Sequence, residues 1–476
     1  MQAAKRREGL LDQTRSLEAA LRRSGGNLGR TLPYVELGDI RKRLPKGSAF
    51  VDLVRLDVPN LDPKPGEQSI LPARYVAWVT LPKGDAHVVD LGAADAIDAL
   101  VDAARMSLNG SAKAIKSEGE PAAEKTTRAA LLAVAEKILH PILKEVGDAD
   151  ELIVSPDGAL WLLPWAALPL PDGKYAVESF RIRHVVCGRD IVREATNVKT
   201  APALIVADPD FDLEPADALR EAKALLGDKL PGGTDTRGLA GALNLGQADR
   251  LPGTAAEARQ IAPHIEKWLG VKPRVLTEKQ ALKSVVKQAR GPEVLVLSTH
   301  GFFKPDQRIE ADGADGLVNG GKRDVTVVGG RPYQDPLTRC GLLLAACNTQ
   351  KDAGGPVVDD GLLTGLEVLG CDLRGTRLVV LSAFETGLGD VRKGEGVAGL
   401  RQAFQLAGAE SVVATLWQIP DAQSADLMVG FFDNLVQGQA RGEALQAAQR
   451  GMIGKRRDRF GAAHPFFWAA YTLTGY

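Results

Sequence analysis

Three short stretches, "EVLVLS", "TRLVVLS" and "ESVVATL", carry apolar residues at consecutive positions and then turn polar. A strand that is apolar on both faces belongs inside a sheet covered by helices on both sides, so these predict buried parallel strands. Helical patterns follow the last of them, around 422–437 and 442–451. Upstream, "APALIVADPD", "RVLTE" and "ALKSVVKQA" repeat the strand-then-helix theme. In "LPGTAAEARQIAPHIEKWLG", Thr254 and Glu257 have the spacing of a capping box, which predicts the start of a helix. Ligands of such sheets sit beyond the carboxyl ends of the strands, so the ends at His300, Phe384 and Asp421 are expected along one edge.

The first part of the chain has a different rhythm. "SAFVDLVRLDV", "RYVAWVTLP" and "AHVVDLG" are β-branched runs separated by Pro and Gly, the pattern of a strand meander. Helices are expected at about 94–108 and 124–146. "DELIVSPDGALWLLPWAALPL" predicts a buried strand, a turn at "PDG", a second short strand and a Pro-Trp corner, and "RIRHVVCG" closes this half. Ahead of it, Leu10, Leu17 and Leu21 share one face of a predicted helix within residues 1–26, which ends at "SGGNLG". An isolated amphipathic helix is marginal in water, so its leucine stripe needs a partner: this chain's own body or another helical module. The long Gly- and Asp-rich stretch from Lys304 to Cys340 reads as a loop or hairpin flap over the site.

At 476 residues the chain exceeds one ordinary core. Two α/β units are expected, at 40–198 and 200–476. Apolar residues make up 45% and charged residues 25%, the balance of a soluble globular protein. A net charge of −1 gives no field that would recruit nucleic acid. Four cysteines with no C-x-x-C pair read as reduced thiols, and no zinc spacing accompanies them. No uncharged apolar run approaches the ~18 residues of a membrane span. A cytoplasmic setting, no cofactor, no metal and no nucleic-acid partner are therefore expected. The absence of G-x-x-x-x-G-K-[ST] argues against a P-loop.

The chemistry concentrates at the strand ends. His300 followed by Gly301 suits general-base work, with the small glycine letting its N–H face a developing oxyanion. Cys347, in "GLLLAACNTQ", superficially resembles a nucleophile loop, but a cysteine in an apolar run is usually packed and inert.

Together "VLSTHG", "LRGTRLVVLSA", "LVVLSAFETGLGD", "LPGTAAEA" and "IVSPDGALWLLPWAAL" resemble the CHAT domain, a caspase-like, separase-related peptidase group often found after tetratricopeptide repeats in bacterial proteins. The resemblance runs from about Leu44 to the C-terminus. It implies an N-terminal pseudoprotease half and a C-terminal half with a His–Cys dyad. His300 matches the catalytic histidine. The family pattern Ser-Ala-Cys-Glu-Thr-Gly places Phe384 where the nucleophilic cysteine belongs, and a phenyl ring has no lone pair with which to attack a carbonyl. Only the residual help of an oxyanion hole, from the amides of Gly301 and residue 384, would remain. "TLWQIPDAQSAD" resembles the family segment whose acidic residue receives a basic side chain at the cleavage position. Asp421 matches that residue, with Asp426 as second choice and Asp421 as a simple helix cap the competing reading. Trp417 reads as pocket wall or core.

Three functional readings follow. One is recognition of a peptide or protein without cleavage. Another is a cysteine endopeptidase acting after Arg or Lys when residue 384 is cysteine. The third is a non-catalytic platform, docked through the first helix to a tetratricopeptide or other helical module.

Overall fold

The computed structural model describes residues 34–62, 70–194, 198–227, 229–230, 246–303, 327–328, 331–332, 336–349, 359–382, 390–392 and 396–475. The predicted first helix, Phe384 and most of the predicted flap lie outside the described residues.

Strands β1 (Ser48–Pro59), β2 (Ile70–Thr80) and β3 (His87–Ala93) form the expected antiparallel meander. From β1 the pairing turns parallel, to β4 (Glu151–Ser155) and β5 (Arg181–His184). In the second half come β6 (Leu204–Pro209), β7 (Arg274–Glu278), β8 (Val294–Ser298) and the short β9 (Gly301–Phe303). A two-residue hairpin, β10 (Val327–Val328) and β11 (Arg331–Pro332), falls within the predicted flap. After it run β12 (Cys340–Leu343), β13 (Leu362–Thr364), β14 (Leu378–Leu381), β15 (Asp390–Arg392), β16 (Gly396–Ala398), β17 (Ser411–Thr415) and β18 (Tyr471–Gly475).

Eleven of these strands make one sheet in the order β3-β2-β1-β4-β5-β18-β17-β14-β8-β6-β7. Pairing is parallel from β17 through β14, β8 and β6 to β7. Strand β18 runs antiparallel to β17 and parallel to β5, so it joins the two halves into one mostly parallel sheet.

The consecutive apolar runs are explained by which core each side chain enters. Val294 and Val296 of β8, with Leu378 and Val380 of β14, point into a core shared with the helices Pro252–Leu269, Asp421–Val436 and Arg441–Phe460. Their neighbours Leu295, Leu297, Val379 and Leu381 point into a second core on the opposite face. A side-chain period of two inside a sheet covered on both sides leaves no position for a polar residue.

Two local expectations are corrected. The segment after "PDG" is not a strand but a 3-10 helix, Gly158–Leu162. The Asp157 carboxylate accepts from the N–H groups of Gly158 and Arg55, and the Trp165 indole donates to the Leu160 carbonyl, so the segment closes on itself instead of pairing. The capping box at Thr254 and Glu257 does not form either. The helix opens at Pro252 without a side-chain cap, and the Thr254 hydroxyl accepts from the Asp208 N–H while donating to the Leu251 carbonyl. Glu257 turns into the interior instead.

Candidate functional site

Because β8, β14 and β17 are adjacent and parallel, the residues just past Ser298, Leu381 and Thr415 meet at one edge. His300 lies two residues beyond β8. Its Nε2 is 2.9 Å from the Asp249 carbonyl oxygen. A carbonyl only accepts, so Nε2 carries a proton and Nδ1 is the basic nitrogen of the neutral ring. The ring also packs on the buried Phe211, with centroids 5.5 Å apart.

The loop that presents the Asp249 carbonyl is clamped on both sides. Arg250 makes a bidentate pair with the buried Asp208, at 3.0 and 2.7 Å. Asn348 accepts from the Ala248 N–H and donates to the Ala248 carbonyl and to Asp212. Thr299 donates its hydroxyl to the Leu343 carbonyl, fixing the turn just before the histidine.

Gly301 opens β9, which pairs antiparallel with β12. The Leu343 N–H donates to the His300 carbonyl, which makes Gly301 and Leu342 a non-hydrogen-bonded pair. In such a pair the backbone groups point away from the partner strand, so the Gly301 N–H faces out of the ladder.

Beside this edge lies a cavity of about 40 Å³, lined by Thr299, Ser382, Trp417, Asp421 and Glu257 among others. Asp421 begins the Asp421–Val436 helix and is exposed. It approaches the backbone of Gly253 so closely that a Cβ there would fall on its carboxylate. Trp417 is both wall and core: it lines the cavity, is nearly fully buried, and donates its indole N–H to the Phe466 carbonyl. Asp426 lies further along the same helix, exposed and outside the cavity lining.

Sequence reasoning missed Glu257, which is buried at the cavity wall. Its Oε2 accepts from the Ser382 and Ser424 hydroxyls, each at 3.1 Å, and both serines hydrogen-bond the Tyr471 hydroxyl. Its Oε1 has no hydrogen-bond partner among the described residues. Burial pushes the carboxyl up to about 7, against the two serine hydrogen bonds, with the Asp421 charge adding to the rise. The sequence did contain a signal, an acid one turn into a helix aimed at the predicted strand ends, but the capping motif absorbed it.

Cys347 stands apart from this cluster. Burial, with Asp212 nearby, raises its thiol to about 12, and its sulfur lies 3.8 Å from Asn348 Oδ1. A thiol held protonated is a poor nucleophile. Among the described residues no group of three or more His, Cys, Asp or Glu side chains could hold a metal ion.

A mostly parallel α/β sheet with a histidine and an acid-lined cavity at its carboxyl edge is a protease-like scaffold. The CHAT domain matches residues 128–476, and the chain belongs to that family. It is 26% identical over 342 residues to human tetratricopeptide repeat protein 28, a match covering 69% of this chain and 12% of that protein. Among solved structures, the yeast separase–securin complex is similar over 92% of this chain and 30% of its own, with a TM-score of 0.43 and 8% identity. The Arg-specific cysteine proteinase gingipain R is similar over 80% of this chain and 73% of its own, with a TM-score of 0.36 and 10% identity.

Proposed function

We propose that this chain recognises a peptide or protein at the carboxyl edge of its sheet and does not cleave it. The observation that carries the reading is the acid-lined cavity beside His300 in a CHAT chain, and the inactivity follows from reading Phe384 at the position the family motif gives to its nucleophile. In this reading His300 and the Gly301 N–H are the remains of the catalytic apparatus, and Asp421 supplies a counter-charge to a basic side chain. Residues 40–198 act as the pseudoprotease half and 200–476 as the protease-like half. Cys347 has no part in it. The likeness to a tetratricopeptide repeat protein favours a helical-repeat partner, and four free cysteines suit the cytoplasm.

The test is a labelled Arg-containing peptide offered to the protein and to Phe384→Cys. Binding without turnover by the protein is the expected result, with cleavage after Arg or Lys appearing in the variant if the dyad geometry survives. Turnover by the unaltered chain would overturn the reading. Absence of binding would favour a structural platform instead.

A further inference from the structure

The large sheet ends at β3 on one side and at β7 on the other, and an end strand carries a row of backbone groups with no ladder partner. At β3 that row is broken. The β2–β3 register shifts between Tyr75 and Val76, and Gly92, at φ 103°, turns its N–H to the Asp90 carboxylate. Strand β7 has no such break: it pairs with β6 from Arg274 to Glu278, and the register shift there is an extra residue in β6.

Alternation along β7 decides which groups face outward. The Arg274 N–H donates to the Ala203 carbonyl and the Glu278 carbonyl accepts from the Asp210 N–H, so the even-numbered residues address β6. The outer row is therefore the Pro273 carbonyl, both groups of Val275 and both groups of Thr277. The Thr277 carbonyl is already taken by the Gln280 N–H, in the turn that follows. The others have no hydrogen-bond partner among the described residues. In chain order they are an acceptor, a donor with an acceptor, and a donor, a pattern that complements itself when reversed.

We propose that β7 is a self-pairing edge, through which two copies of this chain join antiparallel and symmetrically about Val275 into one continuous sheet. Val275 then exchanges both bonds with its own copy, and each Thr277 N–H meets the second copy's Pro273 carbonyl. The N–H that proline lacks falls opposite the Thr277 carbonyl that the turn has taken. The side chains agree with this register. Glu278, which closes the strand at φ 54°, comes opposite Lys272 of the second copy and diagonal to its Arg274. All three are exposed, neither base has an ion pair among the described residues, and Glu278 has only Arg250 at 3.5 Å. Val275, 37% exposed, packs on itself across the axis. One short strand a side is a small interface, so association should be reversible, with a dissociation constant on the order of 10–100 μM.

The experiment is analytical ultracentrifugation of the full chain from about 1 to 300 μM, which spans that range. The unaltered protein should pass from monomer to dimer. Val275→Pro removes an N–H that no bond within the chain uses, and an edge strand accepts proline there, so the fold should survive while the dimer weakens at least about tenfold. Lys272→Glu/Arg274→Glu and, separately, Glu278→Lys alter only exposed side chains, and each should weaken self-association about tenfold. Mixed in equal amounts, these two charge variants should form a heterodimer as tight as the unaltered dimer, because each supplies the charges that the other needs.

A protein that stays monomeric throughout overturns the proposal. So does a dimer that neither charge variant weakens, since another surface then holds it. A mixture of the charge variants that stays monomeric excludes the antiparallel register and overturns it as well. If Val275→Pro loses its far-ultraviolet circular dichroism, the charge variants and their mixture decide alone.

Discussion

Glu257 has a consequence for stability. Its folded-state carboxyl sits near 7, above the ordinary value of 4.5, because burial disfavours the charged form. A raised carboxyl contributes stability that is fully present below the unfolded value and is lost as pH rises through the folded one. Between about pH 4.5 and 7 this single group should remove about 3 kcal/mol, since stability falls by roughly 1.4 kcal/mol per pH unit while the folded chain alone holds the proton. Urea denaturation across that range should show the fall in the unaltered protein and its absence in Glu257→Gln. Parallel curves for the two would mean that Glu257 titrates normally in the folded chain.

At the scale of elements, His300 depends on a loop that is irregular yet pinned. The Arg250–Asp208 pair and the two-sided Asn348 bridge hold residues 248–250, and the Asp249 carbonyl then sets the histidine tautomer. Asp208 itself has φ 46°, a left-handed conformation uncommon for a non-glycine residue, directly at the end of β6. Arg250→Met should leave the sheet intact and cost about 2–3 kcal/mol, because it leaves the buried Asp208 carboxylate without its bidentate partner while the arginine itself is partly exposed. It should nonetheless broaden or shift the His300 ring resonances in NMR spectra of the histidine side chains. An unchanged His300 signal would show that the loop is held by Asn348 alone.

Across the whole molecule, the two halves are bound by more than the β5–β18 contact. Arg456 forms a bidentate pair with Glu120, a residue that also accepts from the His464 N–H. Glu120 and Arg456 are both largely buried, and one core takes residues from the helix Ala94–Asn109 as well as from Arg441–Phe460. Unfolding should accordingly be one cooperative transition. Glu120→Gln leaves the Arg456 charge without its partner and should cost about 3–5 kcal/mol, read as a lower denaturant midpoint of that same transition. Two separate transitions, or an unchanged midpoint, would contradict a shared core.

By itself the sequence determined the strand-and-helix alternation, the burial of "EVLVLS", "TRLVVLS" and "ESVVATL", and the meeting of their ends at one edge. These follow from side-chain period and polarity, which are local and additive along the chain. The family resemblance was legible for the same reason, since a motif is a string. What only the tertiary structure decided is where polar groups find partners. Thr254 and Glu257 are spaced to cap each other, yet Thr254 bonds Asp208, and Glu257 reaches Ser382 and Ser424, residues more than a hundred positions away. The "ALWLL" run likewise curls into a 3-10 turn because Asp157 binds Arg55 across the sheet. In both cases a local preference worth about 1 kcal/mol yields to the larger cost of leaving a buried polar group unpaired.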